Sequence, residues 1–140
     1  MRYLLGDENN KDLLISFINA VNEDYELPTI SSVEIKNPYN LKNLALAKES
    51  IIDIKATDDK GHIYNIEIQT SGSNTYYNRS LYYWSKLYSS QLDEGEHYSR
   101  LKPSISINLL TFELFAIDDI DTAHSCFVIK EQKREYLVTF

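Results

Sequence analysis

Three side chains stand where acids and amides are costly unless they perform a task. Asp53 lies in Ser50-Ile51-Ile52-Asp53-Ile54-Lys55-Ala56, a β-branched apolar run around a single acid. Glu67 and Gln69 close the run His62-Ile63-Tyr64-Asn65-Ile66-Glu67-Ile68-Gln69. Strand alternation makes Glu67 and Gln69 project together while Ile66 and Ile68 point the other way. Thr57-Asp58-Asp59-Lys60-Gly61 supplies turn chemistry between the runs, with Gly61 suited to a positive φ. A hairpin folded there brings Asp53 to the level of Glu67 and Gln69. Two half-buried carboxylates at close range need a cation. Mg²⁺ suits such a place, since it takes one or two carboxylates, several waters and phosphate oxygens. It activates water and stabilises the charge that develops when a phosphodiester is displaced. Gln69 can orient that water or hold a phosphate by its amide, but brings no positive charge. Taken alone, Asp53 reads first as a turn-adjacent or salt-bridged acid, with Lys48 or Lys55 as its partner.

Arg79, Lys48, Lys55 and Lys86 are the candidate phosphate contacts, although isolated cations are commonly solvated or ion-paired. Arg79 stands out among them because it falls early in the helix that follows the Glu67 strand. His62, His97 and His124 are scattered without the spacing of a metal cage. Cys126 is the one cysteine, which excludes a disulfide framework within the chain and a Cys-based zinc site. It is expected as a small buried apolar group in a protein of a reducing compartment, the cytoplasm. No nucleophile-elbow pattern supports a serine triad.

The elements that must position these residues follow from periodicity. Asn9 and Asn10 offer caps to a helix whose Leu13, Leu14, Phe17, Ile18 and Val21 form an apolar stripe. Ser32 to Lys36 alternates as a strand and stops at Asn37-Pro38; residues 39–48 read as a loop with a helical turn. After the hairpin, Ser71-Gly72-Ser73-Asn74 caps a long helix that Asp93-Glu94-Gly95 ends. Its Tyr77, Leu81, Trp84 and Tyr88 fall on one face, with Tyr76, Tyr83 and Leu87 beside it. That spacing predicts a stripe packed on the sheet rather than a base-stacking platform. Ser104 to Leu110 is a further strand, and Phe112 to Ile117, Ser125 to Lys130 and Glu135 to Phe140 read as shorter ones. A mixed sheet flanked by helices is the expectation.

With 140 residues the chain fits one domain, 1–140, large enough for a hydrophobic core. The 11 tyrosines against one tryptophan suit both cores and wet surfaces. No apolar run approaches the roughly 20 residues of a membrane span, and residues 1–7 lack a secretory signal's apolar stretch. The net charge of −7 opposes non-specific phosphate binding unless positive charge is gathered locally. Carboxylates of a metal site explain part of that balance, because bound cations offset them. The apolar final residues lead to the expectation that the chain is cut from, or is a shortened form of, something longer.

Ile52-Asp53-Ile54-Lys55-Ala56, the turn Asp58-Asp59-Lys60-Gly61 and Tyr64-Asn65-Ile66-Glu67-Ile68-Gln69 together resemble the core of the PD-(D/E)XK nuclease family transposases, the Rpn-like recombination-promoting nucleases. The resemblance continues through Arg79 to Tyr88, Gln91-Leu92 with Gly95 and Tyr98, and Leu101 to Ile107. Upstream it includes Leu5-Gly6 and Lys11-Asp12-Leu13-Leu14, so it covers almost the whole chain. It implies an α/β (α+β) fold: the restriction-endonuclease-like αβββαβ core, a mixed central sheet flanked by helices, here shortened at both ends. It implies that Asp53 and Glu67 are metal ligands with the Ile68 backbone carbonyl as the third, and that Gln69 stands where the parent motif has lysine. The implied activity is Mg²⁺- or Mn²⁺-dependent cleavage of DNA linked to mobile elements or recombination. A homodimer would fit, since two strands call for two sites. The competing expectation is a catalytically degenerate nuclease fold that serves as a binding, regulatory or oligomerisation module.

Overall fold

The computed structural model describes residues 2–36, 52–72, 74–114 and 124–134. A short helix α1 (Arg2–Leu5) and a 3-10 turn (Glu8–Asn10) lead into α2 (Lys11–Glu23). Then come β1 (Val33–Ile35), β2 (Ile52–Asp58), β3 (Ile63–Gln69), α3 (Tyr76–Ser89) and β4 (Ser104–Leu110). The order from α2 onward is the αβββαβ sequence of elements that the resemblance implies.

The four strands form one sheet in the order β1-β2-β3-β4. β1 with β2 and β2 with β3 are antiparallel, whereas β3 and β4 run parallel. A parallel neighbour needs a crossover, and α3 provides it. β3 is therefore an interior strand, and its run of buried residues reflects cover on both faces.

One face of the sheet carries the hydrophobic core. Leu14 and Ile18 of α2 are fully buried against Val33, Ile35, Ile54, Ala56, Tyr64, Ile66 and Ile107. The expected stripe on α2 is narrower than its spacing suggested: Leu13 is 42% exposed, while Phe17 and Val21 pack at the margin. Asn10 stands at the N-cap of α2 without a side-chain cap bond; Asp7 instead caps the preceding 3-10 turn through the Asn9 amide. Asn19 grips the loop before β1, donating to the Ile30 carbonyl at 3.0 Å and accepting its N–H at 2.8 Å. Buried Asn22 donates to the Pro28 carbonyl in the same loop.

The hairpin turn is organised by a buried carboxylate. Asp58 accepts from the backbone amides of Lys60 and His62 and lies 2.8 Å from His62 Nδ1. Gly61 has φ +84°, the left-handed conformation its position implied. His62, one of three histidines without metal-cage spacing, thus belongs to this turn network.

Several expectations fail. Residues 111–114 and 124–129 form no strand, and only Lys130 makes an isolated bridge. Short apolar runs lack the length that separates strands from irregular chain. Cys126 is exposed rather than buried. Residues 39–48, including Lys48, and the run 135–140 lie outside the described residues. No helix among the described residues is long and apolar enough to cross a membrane.

Asp58→Ala removes the acceptor for both turn amides and is expected to cost about 1–3 kcal/mol in urea unfolding. Glu94→Ala on an exposed turn should stay within about 0.5 kcal/mol. Burial pushes the Tyr64 phenol above its ordinary 10.0, opposed by Asn22 and reinforced by the Asp58 charge. Its contribution is full below pH 10 and is lost as pH rises through the higher folded value. Urea midpoints should therefore fall from about pH 10 upward, and Tyr64→Phe should flatten that fall.

Candidate functional site

The second face of the sheet is polar, and beneath a helix most of its buried groups need hydrogen-bond partners. Asn65, Glu67 and Gln69 project from β3 on this face, with exposures of 5%, 5% and 7%. Glu67 is held from both sides along its own strand. Asn65 Nδ2 donates to Oε1 at 2.8 Å, and Gln69 Nε2 donates to Oε2 at 2.9 Å. Each oxygen keeps a further lone pair, so the amides orient the carboxylate without saturating it. Among the described residues no cationic side chain forms an ion pair with Glu67.

Register places Asp53 directly opposite Glu67 and Lys55 opposite Asn65. Directly opposed residues of an antiparallel pair share a face, so the hairpin brings positions 53 and 67 to one place on the sheet. On the other side Glu67 pairs with Asn108 and Asn65 with Ser106 of β4. Asn108 reaches the Ser80 and Ser106 hydroxyls, which continues the polar strip beneath α3.

α3 covers this face with a different stripe from the one its periodicity suggested. Tyr77 and Leu81 are 50% and 61% exposed, while Tyr76 and Leu87 are buried. The packed ridge is Tyr76, Ser80, Trp84 and Leu87: Trp84 keeps its expected place, and Tyr76 and Leu87, expected beside the stripe, pack where Tyr77 and Leu81 do not. Contacts of Trp84 anchor this ridge: its Nε1 donates to the Ser104 carbonyl at 2.8 Å, and its ring stacks on Tyr88 at 5.7 Å. The helix ends at Ser89, earlier than Asp93-Glu94-Gly95. The Ser85, Ser89 and Ser90 hydroxyls bond back to carbonyls three residues earlier. Gln91 then clasps the Lys102 backbone, which fixes the approach to β4.

Between α3 and the sheet lies a cleft of about 400 Å³. Lys55, Asn65 and Glu67 line its sheet side; Tyr83, Lys86 and Leu87 line its helix side. Asn65 Oδ1 is buried there without a hydrogen-bond partner. Tyr76 senses the same charge: burial raises its phenol above the ordinary 10.0, Ser80 lowers it, and Glu67 raises it. Arg79 sits half-buried at the helix, its guanidinium 5.7 Å from the Tyr83 ring centroid and its Nη2 buried without a partner.

The family model described as PD-(D/E)XK nuclease family transposase matches residues 1–139. The chain belongs to that family. No curated protein and no solved structure matches it. The mixed sheet with its two flanking helices is consistent with the PD-(D/E)XK nuclease fold, and membership points to a nuclease-type function. PD-(D/E)XK nucleases generally use divalent metal ions. Among the described residues no group of three or more His, Cys, Asp or Glu side chains gathers to hold one. The donor set on this face nevertheless suits a hard cation, which takes oxygen ligands and retains water: a buried carboxylate, an unpartnered amide oxygen beside it, and an acid at the paired position.

Of the expected site residues, the β2–β3 register sets position 53 opposite Glu67 and Lys55 opposite Asn65, with Gln69 two residues beyond Glu67 on β3. Ile68 follows Glu67 on the same strand, Arg79 stands apart on α3, and Lys48 lies outside the described residues. Asn65 was missed, although alternation two residues before Glu67 signals it. Tyr83 and Lys86 share a helical face by spacing, but that this face borders the sheet cleft depends on the Trp84 contact, which spacing does not give. Trp84→Phe deletes that anchor and is expected to cost about 0.5–1.5 kcal/mol in chemical denaturation followed by circular dichroism.

Proposed function

We propose that the chain is a metal-dependent endodeoxyribonuclease in which Asp53 and Glu67, with the Ile68 backbone carbonyl, hold Mg²⁺ or Mn²⁺. The observation that carries this reading is the register: an acid stands opposite Glu67, a buried carboxylate with no cationic side chain paired to it among the described residues. Such a charge is costly in a protein interior unless a cation joins it. When bound, the ion supplies a water of lowered pKa and stabilises charge on the phosphodiester oxygens.

The chain's own groups prepare the rest. Asn65 and Gln69 fix the Glu67 carboxylate by one hydrogen bond at each oxygen. Gln69 occupies the lysine position of the parent motif and brings an amide instead of a cation. It can therefore orient an attacking water but cannot neutralise charge in the transition state. Lys55, across the hairpin from Asn65, supplies a cation on the cleft wall for phosphate. Arg79 and Lys48 are the further proposed phosphate contacts, and DNA of mobile elements or recombination is the proposed substrate.

The Gln69 substitution favours a second reading, a nuclease fold that binds without turnover. Nicking of supercoiled plasmid decides between them. Activity should appear with Mg²⁺ or Mn²⁺, vanish in EDTA, and fall at least about 100-fold in both Asp53→Asn and Glu67→Gln. Gln69→Lys should raise the rate. A folded wild-type chain that gives no calorimetric heat with either metal and no nicking would leave only the second reading.

A further inference from the structure

α3 carries a second ridge beside the one packed on the sheet. Arg79, Tyr82, Tyr83 and Lys86 follow one another at helical neighbour spacing. Tyr82 and Tyr83 are 55% and 40% exposed, with ring centroids 5.5 Å apart in an edge-on arrangement. Each ring lies beside a cation: Lys86 Nζ is 5.4 Å from the Tyr82 centroid, and the Arg79 guanidinium 5.7 Å from that of Tyr83. Burial does not explain two adjacent exposed rings, and two cations beside them depart locally from a chain whose 21 acids outnumber its 14 Lys and Arg. Here Tyr83 and Lys86 form the wall of the cleft that contains Glu67.

We infer that this ridge and cleft bind an unpaired nucleotide of single-stranded DNA, its base stacked on Tyr83 and its phosphate held by Lys86. A flat exposed ring and an adjacent ammonium are the two groups by which proteins grip single strands without reading sequence. The cleft volume of about 400 Å³ lies within the range of small-ligand sites. Asn65 lines the cleft, and its Oδ1 is buried with no partner; rotation of the amide would offer that acceptor to an exocyclic amino group or ring N–H. In a paired duplex those edges are already engaged and the base faces are stacked. An aromatic wall therefore favours a strand that is already open or one whose base leaves the stack. The inference rests on the nuclease reading for the identity of the polymer, and gives that site a preference for single-stranded or locally melted DNA.

Fluorescence anisotropy with labelled oligothymidylate and a duplex of equal length tests it in EDTA, where cleavage cannot interfere. The single strand should bind at least about fivefold tighter than the duplex. Tyr83→Ala should weaken it by about 5- to 150-fold, with Tyr83→Phe retained. Lys86→Ala should reduce the slope of log affinity against log salt by about one unit. Tyr98→Ala, 83% exposed and outside the cleft lining, is the surface control and should bind as the parent does. Thermal melts confirm that each variant is folded. Equal affinity for duplex and single strand, or a folded Tyr83→Ala that binds unchanged, overturns the inference even where metal-dependent nicking is observed. Strand binding that depends on Tyr83 sustains it even where nicking fails. Self-association lost in Tyr82→Ala, without oligonucleotide binding, would assign the ridge to a second copy and refute it.

Discussion

The burial of Glu67 within an interior strand is the constraint on which the rest of the structure depends. β3 is covered on both sides, so its residues must satisfy two environments in alternation. Tyr64 and Ile66 enter the apolar core on one side; Asn65, Glu67 and Gln69 form a polar strip on the other. The neighbouring positions on its own strand are amides that donate to the Glu67 carboxylate and so lower the cost of holding it in that strip. α3 consequently meets the sheet through tyrosine, serine and tryptophan instead of a continuous aliphatic stripe. The cleft lies on this polar face, between Asn65 and Glu67 of the sheet and Tyr83, Lys86 and Leu87 of α3.

The hairpin was legible in the sequence because its signals agree. A β-branched run, a turn ending in glycine and a second β-branched run fix both strands and the register between them, and that register sets position 53 opposite position 67. α2 was legible for the same reason, through Leu14 and Ile18. The rotation of α3 was not, because nearly every turn of that helix carries a large aromatic or Leu, so periodicity alone admits several faces. Two long-range contacts decide it, Trp84 with the Ser104 carbonyl and Ser80 with Asn108. Neither is encoded by local spacing.

Asp58 shows how sequence reading misplaces an acid. In a turn motif it reads as solvated punctuation, yet its side chain is enclosed by the backbone it organises. Its site is on the core face, as alternation from Ile54 and Ala56 requires, and thus opposite to the face that holds Glu67. Asp58 and Glu67, the buried acids among the described residues of the hairpin, therefore have separate environments. Asp58 is satisfied by turn amides and the His62 ring and needs no ion, whereas Glu67 keeps acceptor capacity toward the cleft.

The acidic balance of the chain is compatible with a polyanionic substrate only if attraction is local. At physiological ionic strength fields decay within about 8 Å, so the cations within the cleft matter more to a phosphate there than the net charge of −7. Lys55 and Lys86 face the cleft from opposite walls, with Glu67 at its floor. A divalent ion at Glu67 would turn this mixed field positive at one point and leave the outer surface acidic. Long-range steering toward duplex DNA would then be weak, and selection would pass to contacts made after entry: ring stacking, hydrogen bonds at the cleft floor and phosphate coordination. Gln69, which donates to Glu67, adds no charge to this field, so the cationic contacts of the cleft fall to Lys55 and Lys86 on its walls.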